Sequence, residues 1–242
     1  MISKILFLYF LLIFSSSTLA LNESDTKIFI DSNTSYDQGD YKNALLKYQE
    51  LAKRFPKSGE LYYNLANAYY KNGELGKSIF YYIKARKILP RSGDVKYNLE
   101  YARNQKIDKQ ESDKNLLDLF HIPFNENELL ILVTVCALAF WTIMIISLYK
   151  RNFIIMYTRY ITVSLLILTS TLLILHNFSE KNIGVVTAQE TSVFSTIGVN
   201  SIKLFTLHEG SEIVVLDKKD NWNLITIGDN RKGWIPSDKI IN

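Results

Sequence analysis

Cysteine is nearly absent from this chain: Cys136 is the one copy, and it lies inside an apolar run. No soluble segment can be stapled by an internal disulfide, so each must fold on packing alone. Histidine is scarce too. His121, His176 and His208 are scattered, with no second ligand at i+3 or i+4, which removes the usual zinc spacings. A nucleophile elbow, a phosphate loop and a dinucleotide fingerprint are all missing. Asp229, in Gly228-Asp-Asn-Arg231, reads as a hairpin turn rather than a site carboxylate. Neither soluble part holds a run of Lys and Arg, so a net charge of +4 argues against nucleic acid as a partner. The expectation is a protein that is not an enzyme, with no catalytic residue, cofactor or metal.

What the chain does have is long apolar runs. Residues 129–148 contain no charge, and at ~1.5 Å per residue they reach about 30 Å, the thickness of a bilayer core. A second run occupies residues 160–176, and Phe153 to Tyr157 can extend it. Thr134, Cys136 and Thr142 are the weakly polar groups of the first span, which suits neither an ion path nor a transporter. Between the runs, a turn at 149–159 carries Lys150, Arg151 and Arg159. A short loop rich in Lys and Arg stays in the cytoplasm. Both flanks are then expected on the exported side of a bacterial inner membrane. The N-terminus agrees: Lys4, an apolar run over 5–14 and small residues up to Ala20 read as a signal peptide at 1–20, the alternative being an uncleaved anchor.

Residues 25–105 carry an internal echo. Gly39, Tyr48 and Pro56 return 34 positions later as Gly73, Tyr82 and Pro90, and Ser58-Gly-Glu-Leu-Tyr-Tyr-Asn-Leu-Ala66 returns as Ser92-Gly-Asp-Val-Lys-Tyr-Asn-Leu-Glu100. This period and spacing resemble the tetratricopeptide repeat, a helix-turn-helix unit that stacks into a solenoid. About 2.5 units are present, the last as one helix from Asp94 to about Gln105 whose charges suit a solvated cap. Tyr41, Ala44, Tyr48 and Leu51 are the expected seam of the first unit. Tyr62, Leu65, Tyr69, Leu75, Ile79, Tyr82 and Ala85 are that of the second. In such repeats the first helices line a concave groove. The resemblance places there Phe29, Asn33 and Tyr36, then Tyr63, Asn64, Asn67 and Tyr70, then Tyr97, Asn98 and Tyr101. Aromatics interleaved with asparagines suit an extended peptide, the amides pairing with its backbone. The competing reading is that these side chains complete packing between helices or decorate the surface.

The linker, 106–128, begins with a charged stretch to Asn115 that is expected to be mobile. Leu116 to Phe124 then form an apolar segment suited to the membrane interface or to an extension of the following helix. After the second span, from residue 183 to 242, the pattern changes to period two. Val185, Val193, Leu204, Leu207, Ile213, Val215, Leu224 and Ile227 mark short strands. Leu207-His-Glu-Gly210, Asp220-Asn-Trp222 and Gly233-Trp-Ile-Pro236, in that order, resemble a bacterial SH3-like barrel. Trp222, Trp234 and Pro236 are its candidate ligand surface, or else supports of a small core.

The order of the modules is more specific than any of them. A signal, a tetratricopeptide array, a two-span hairpin with a basic turn and an SH3-like barrel together resemble the BatE-type family of bacterial aerotolerance (Bat) systems. That family is encoded beside von Willebrand A-domain membrane proteins and a MoxR-type ATPase. The resemblance implies a membrane-anchored, non-enzymatic scaffold with protein partners in a stress-tolerance complex. The alternative is an envelope protein whose barrel contacts the cell wall while the repeats recruit a partner.

Overall fold

The computed structural model describes residues 22–108, 124–150, 152–179, 182–198, 201–228 and 230–242. The signal peptide at 1–20, most of the linker's apolar segment, His121, Arg151 and Asp229 lie outside these residues. Five helices come first: α1 Glu23–Asp37, α2 Tyr41–Arg54, α3 Gly59–Lys71, α4 Leu75–Ile88 and α5 Gly93–Asn104. They pair as α1·α2 and α3·α4, with α5 packed on α4.

The boundaries follow from the repeated residues. Gly39 and Gly73 each take a positive φ, 79° and 82°, just past the ends of α1 and α3. Their N–H groups donate to Tyr36 and Tyr70, while those of Asp40 and Glu74 reach back to Ser35 and Tyr69. The double bond closes the orphan carbonyls of both helices, and the left-handed residue at its centre favours glycine. Asn22, Asp40, Ser58 and Ser92 cap α1, α2, α3 and α5 through side-chain oxygens. Pro56 and Pro90 follow α2 and α4 at one residue's remove, as expected. The seam residues are buried, except Tyr41 and Leu75, which are half-buried.

Two long helices follow. Helix α6, Glu126–Tyr149, has 24 residues, and α7, Phe153–Ser179, has 27. Both are long and apolar enough to cross a membrane, and they pack along each other. Each outruns the uncharged span read from sequence. A capping box of Asn125 and Glu128 starts α6 ahead of its first leucine. Helix α7 takes up residues assigned to the basic turn, so the turn shrinks and Arg159 lies within the helix, its guanidinium over the Tyr160 ring. Apolar side chains on their outer faces, among them Trp141, Leu148 and Ile167, are well over half exposed. Thr134, Thr142, Thr162 and Thr171 return their hydroxyls to carbonyls four residues earlier.

The C-terminal module is all-β: β1 Ile183–Val186, β2 Glu190–Phe194, β3 Lys203–His208, β4 Glu212–Lys219, β5 Trp222–Thr226, β6 Lys232–Pro236 and β7 Ile240–Ile241, with a 3₁₀ turn at Ser237–Lys239. The seven strands form one antiparallel sheet in the order β3-β2-β6-β5-β4-β1-β7. Its ladder is open between β3 and β7. Val186, Val193, Leu207, Ile213, Val215, Ile225, Ile227 and Ile235 nevertheless share one core. A sheet whose first, last and central strands meet in a common core must curl on itself. Leu224 and Leu204 do not join that core. Asn223 and Ile225 take the inward positions of β5, so Leu224 is on the outer face beside Trp222, and Leu204 is half exposed.

Candidate functional site

Three surfaces carry the chemistry: the face of the first helices, the outer face of β5 and β6, and the seam between the two soluble modules. On the first, a repeated latch joins the two helices of each unit. The Tyr48 hydroxyl donates to Asn33 Oδ1 at 2.6 Å, and 34 residues on, Tyr82 donates to Asn67 Oδ1. Burial pushes the Tyr48 hydroxyl up to about 12 and raises that of Tyr82 further. Asn98 then donates to both Tyr63 Oη, at 3.0 Å, and Asn67 Oδ1, at 3.1 Å, which ties α5 to α3. The carbonyls of Asn33 and Asn67 and the amino group of Asn98 thus bind within the array. Asn64 is the asparagine of the set whose amide makes no such bond within the array.

The aromatics of this face divide in the same way. Phe29 packs into the core, edge-on to Tyr48 at 6.5 Å, and Tyr36 is edge-on to Tyr41 at 5.4 Å. Tyr63 tilts over Tyr82 at 6.0 Å. The other three continue outward as a ladder. Tyr70 meets the edge of Tyr101 at 5.8 Å, and Tyr97 stacks on Tyr101 at 6.4 Å. Tyr97 is 68% exposed and Tyr101 48%, a continuous aromatic step with hydroxyls at its rim.

On the β module, Trp222 stands opposite Pro236, and Trp234 lies between Leu224 and Phe194. Directly paired residues share a face, so these five form one half-buried strip, with Trp222 edge-on to Phe194 at 5.7 Å. The inward neighbours, Asn223, Ile225, Gly233 and Ile235, are buried. Both tryptophans therefore stand outside the core cluster and cover its back. Phe194 was not foreseen in this strip; its signal is the Val193-Phe194 alternation.

The seam was not foreseen at all. Val185 joins Ile79, Phe80 and Ile83 in one buried cluster, with Ile183 and Ile241 packed against it. Around that contact, Arg103 grips Glu212 with two bonds of 2.8 and 2.6 Å, and Lys106 adds a third at 3.3 Å. Asp108 takes the His208 backbone N–H at 2.8 Å and its ring Nδ1 at 2.9 Å, together with the Ser211 hydroxyl at 2.5 Å. Glu209 accepts the Gly76 N–H at 2.9 Å. Burial raises the carboxyls of Glu212 and Asp108, but the bonds from Arg103 and Lys106 to one, and from Ser211 and His208 to the other, outweigh it. Both are held below their ordinary range. Residues 106–108, read as the start of a mobile charged linker, are thus fixed against the sheet. The last helix of the array, α5, is solvated along Asp94, Lys96 and Glu100 as expected, but its C-terminal end is clamped by Arg103.

No group of three or more His, Cys, Asp or Glu capable of holding a metal ion occurs among the described residues. Residues 35–99 match the family model described as tetratricopeptide repeat. The helical array is a tetratricopeptide array. No curated protein matches the chain. The tetratricopeptide repeat is a protein-interaction scaffold without catalytic chemistry of its own, and the array presents its open aromatic ladder on the side formed by α3 and α5.

Proposed function

We propose that this protein is a membrane-anchored scaffold whose α6–α7 hairpin holds two exported, mutually docked modules at the surface of a bacterial inner membrane. Its partners are other proteins, taken up on the array through Tyr70, Tyr97, Tyr101 and Asn64. The observation that carries this reading is the exposed Tyr97–Tyr101 step on a tetratricopeptide array. Lys150 and Arg151 at the turn, with Arg159 in the first turns of α7, set that end on the cytoplasmic side. The BatE-like order of modules points to an aerotolerance or stress complex containing von Willebrand A-domain membrane proteins. The strip of Trp222, Trp234 and Pro236 on the SH3-like module is a second contact surface.

The test is affinity purification of the tagged full-length protein in gentle detergent, beside Tyr97→Ala/Tyr101→Ala and Trp222→Ala/Trp234→Ala. Membrane proteins with von Willebrand A domains should co-purify with the wild type and be lost with the tyrosine pair. Retention of cell-wall material alone, abolished by the tryptophan pair, would replace the scaffold with a wall-binding protein.

A further inference from the structure

Helix α5 is the first helix of a third unit, and the sheet packs beside it. In the unit before, Leu45, Leu65 and Ala68 share a core with Ala85 of α4, the second helix of that unit, and Tyr81 and Ile88 pack against it. Their counterparts 34 residues on are Ile79, Leu99 and Ala102. These share a core with Val185 of β1, and Ile183 and Ile241 pack against it. The Tyr69 ring stacks on Tyr81 of α4 at 5.4 Å, and its counterpart, Arg103, is bound by Glu212 of β4. The sheet thus meets the positions that the second helix of a repeat covers in the preceding unit.

The array departs from its own repeat where it touches the sheet. Asp40, the N-cap of α2, accepts the Asn43 N–H through its side chain. The counterpart Glu74 makes no such bond to α4, its carboxylate being taken up by Asn72 and Lys77. Glu209 of the sheet instead accepts the Gly76 N–H, one of the donors that the start of a helix leaves open. Gly76 stands where the first repeat has Lys42, and a Cβ there would collide with the Val186 carbonyl. Glycine weakens a helix, so the sequence gives up helix propensity at the turn where the sheet comes close. Helix α5 has 12 residues, a length that is marginal in water without packing. One side of it carries Tyr97, Asn98 and Tyr101; Leu99 and Ala102 are buried in the core shared with β1, and Arg103 fixes its last turn to β4.

We propose that the sheet is the C-terminal cap of the array, and that its docking holds α5, and with it the Tyr97–Tyr101 step, in position to receive a partner. The inference rests on the reading of that step as the partner surface. The test is hydrogen exchange, followed by mass spectrometry, on the full-length protein in gentle detergent with the seam broken from either side. Gly76→Lys restores the residue of the first repeat and drives the Val186 backbone away. Glu212→Arg leaves the array's own sequence untouched and sets a cation against Arg103 and Lys106. In both variants the amides of α5 should exchange about tenfold faster, while α1, α2, β5 and β6 keep their wild-type rates, because a repeat depends on its nearest neighbours. Lys57→Glu, exposed in the first repeat, should change nothing. Wild-type protection of α5 in both seam variants overturns the proposal, and so does an acceleration that spreads equally over α1 and α2. Co-purification of membrane proteins with von Willebrand A domains is measured on the same variants, which should lose them as Tyr97→Ala/Tyr101→Ala does. Seam variants that loosen α5 and still retain those proteins overturn the coupling. Faster exchange in α5 beside a tyrosine pair that keeps its partners defeats the partner reading and leaves the cap. A tyrosine pair that loses them, beside seam variants with a protected α5, defeats the cap alone.

Discussion

Asn67 accepts two hydrogen bonds, from Tyr82 and Asn98, and so holds three helices of the array at one atom. Removing it takes the acceptor from the buried Tyr82 hydroxyl and leaves the Asn98 amide with its bond to Tyr63 alone, which costs about 1–3 kcal/mol. Removing the hydroxyl alone costs about 1 kcal/mol, because Asn67 keeps its bond to Asn98. Asn67→Ala should therefore lower the unfolding free energy more than Tyr82→Phe. The double variant should fall short of the sum, since both changes remove one shared bond. Urea unfolding of the three proteins checks this. Gly76 offers a second test at this scale. Alanine normally improves a helix by up to ~1 kcal/mol over glycine. Here a Cβ would meet the Val186 carbonyl oxygen at 2.2 Å and Thr187 Cα at 3.1 Å, both backbone atoms across the seam. Gly76→Ala should destabilise by about 1–3 kcal/mol. Gly93→Ala, with nothing within 4 Å, should be neutral or better, and thermal melting distinguishes the two.

Among elements, β1 and β4 pack against α4 and α5 through a seam whose charges face one another across 100 to 109 residues of chain. The bidentate Arg103–Glu212 pair is partly buried, so Arg103→Ala leaves the carboxylate to Lys106 alone and should cost about 2 kcal/mol, while Arg103→Met/Glu212→Gln should recover part of it. The pH dependence follows from the same groups. Glu212 and Asp108 have folded-state affinities for protons below their ordinary values of 4.5 and 3.8. A depressed carboxyl adds stability that is fully present above its unfolded value and is lost as pH falls toward the folded one. Melting temperature should hold above about pH 5 and drop below 4.5 more steeply in the wild type than in Glu212→Gln/Asp108→Asn. None of these pairings was legible in the sequence. The helices were, because Gly39, Pro56 and their copies repeat at a fixed period, and the strands were, because alternation is local. Leu207-His-Glu-Gly210 could be read as a strand and a turn, but which residues face Glu209 and Glu212 depends on how one module packs on another. Local pattern has no access to that. The same division holds on the face of the first helices: the repeat places Asn33 and Asn67 on α1 and α3, while their engagement by Tyr48 and Tyr82 is a tertiary event.

At the scale of the whole molecule, the seam and the helical hairpin constrain each other. Glu212 and Arg103 are within hydrogen-bond distance, so the array and the sheet cannot stand on opposite sides of a layer about 30 Å thick. Between them run α6 and α7, two helices of membrane-crossing length, packed along each other. An even number of crossings returns the chain to the side it left, and two is what the docked modules require. The proposed sense of the hairpin rests on the basic residues at its far end: a turn carrying Lys150 and Arg151 disfavours export, which is why the proposal keeps that end inside and the modules outside. This is open to a direct test in a Cys136→Ala background, which frees the chain of its one thiol. Single cysteines at the exposed positions Lys57, in the array, and Lys219, in the sheet, should both react with a membrane-impermeant maleimide on spheroplasts. Lys150→Cys should react only after permeabilisation. Labelling of Lys57→Cys without Lys219→Cys would mean an odd number of crossings and would break the seam as well as the topology. Labelling of Lys150→Cys alone would keep the seam and invert the hairpin, placing both modules in the cytoplasm.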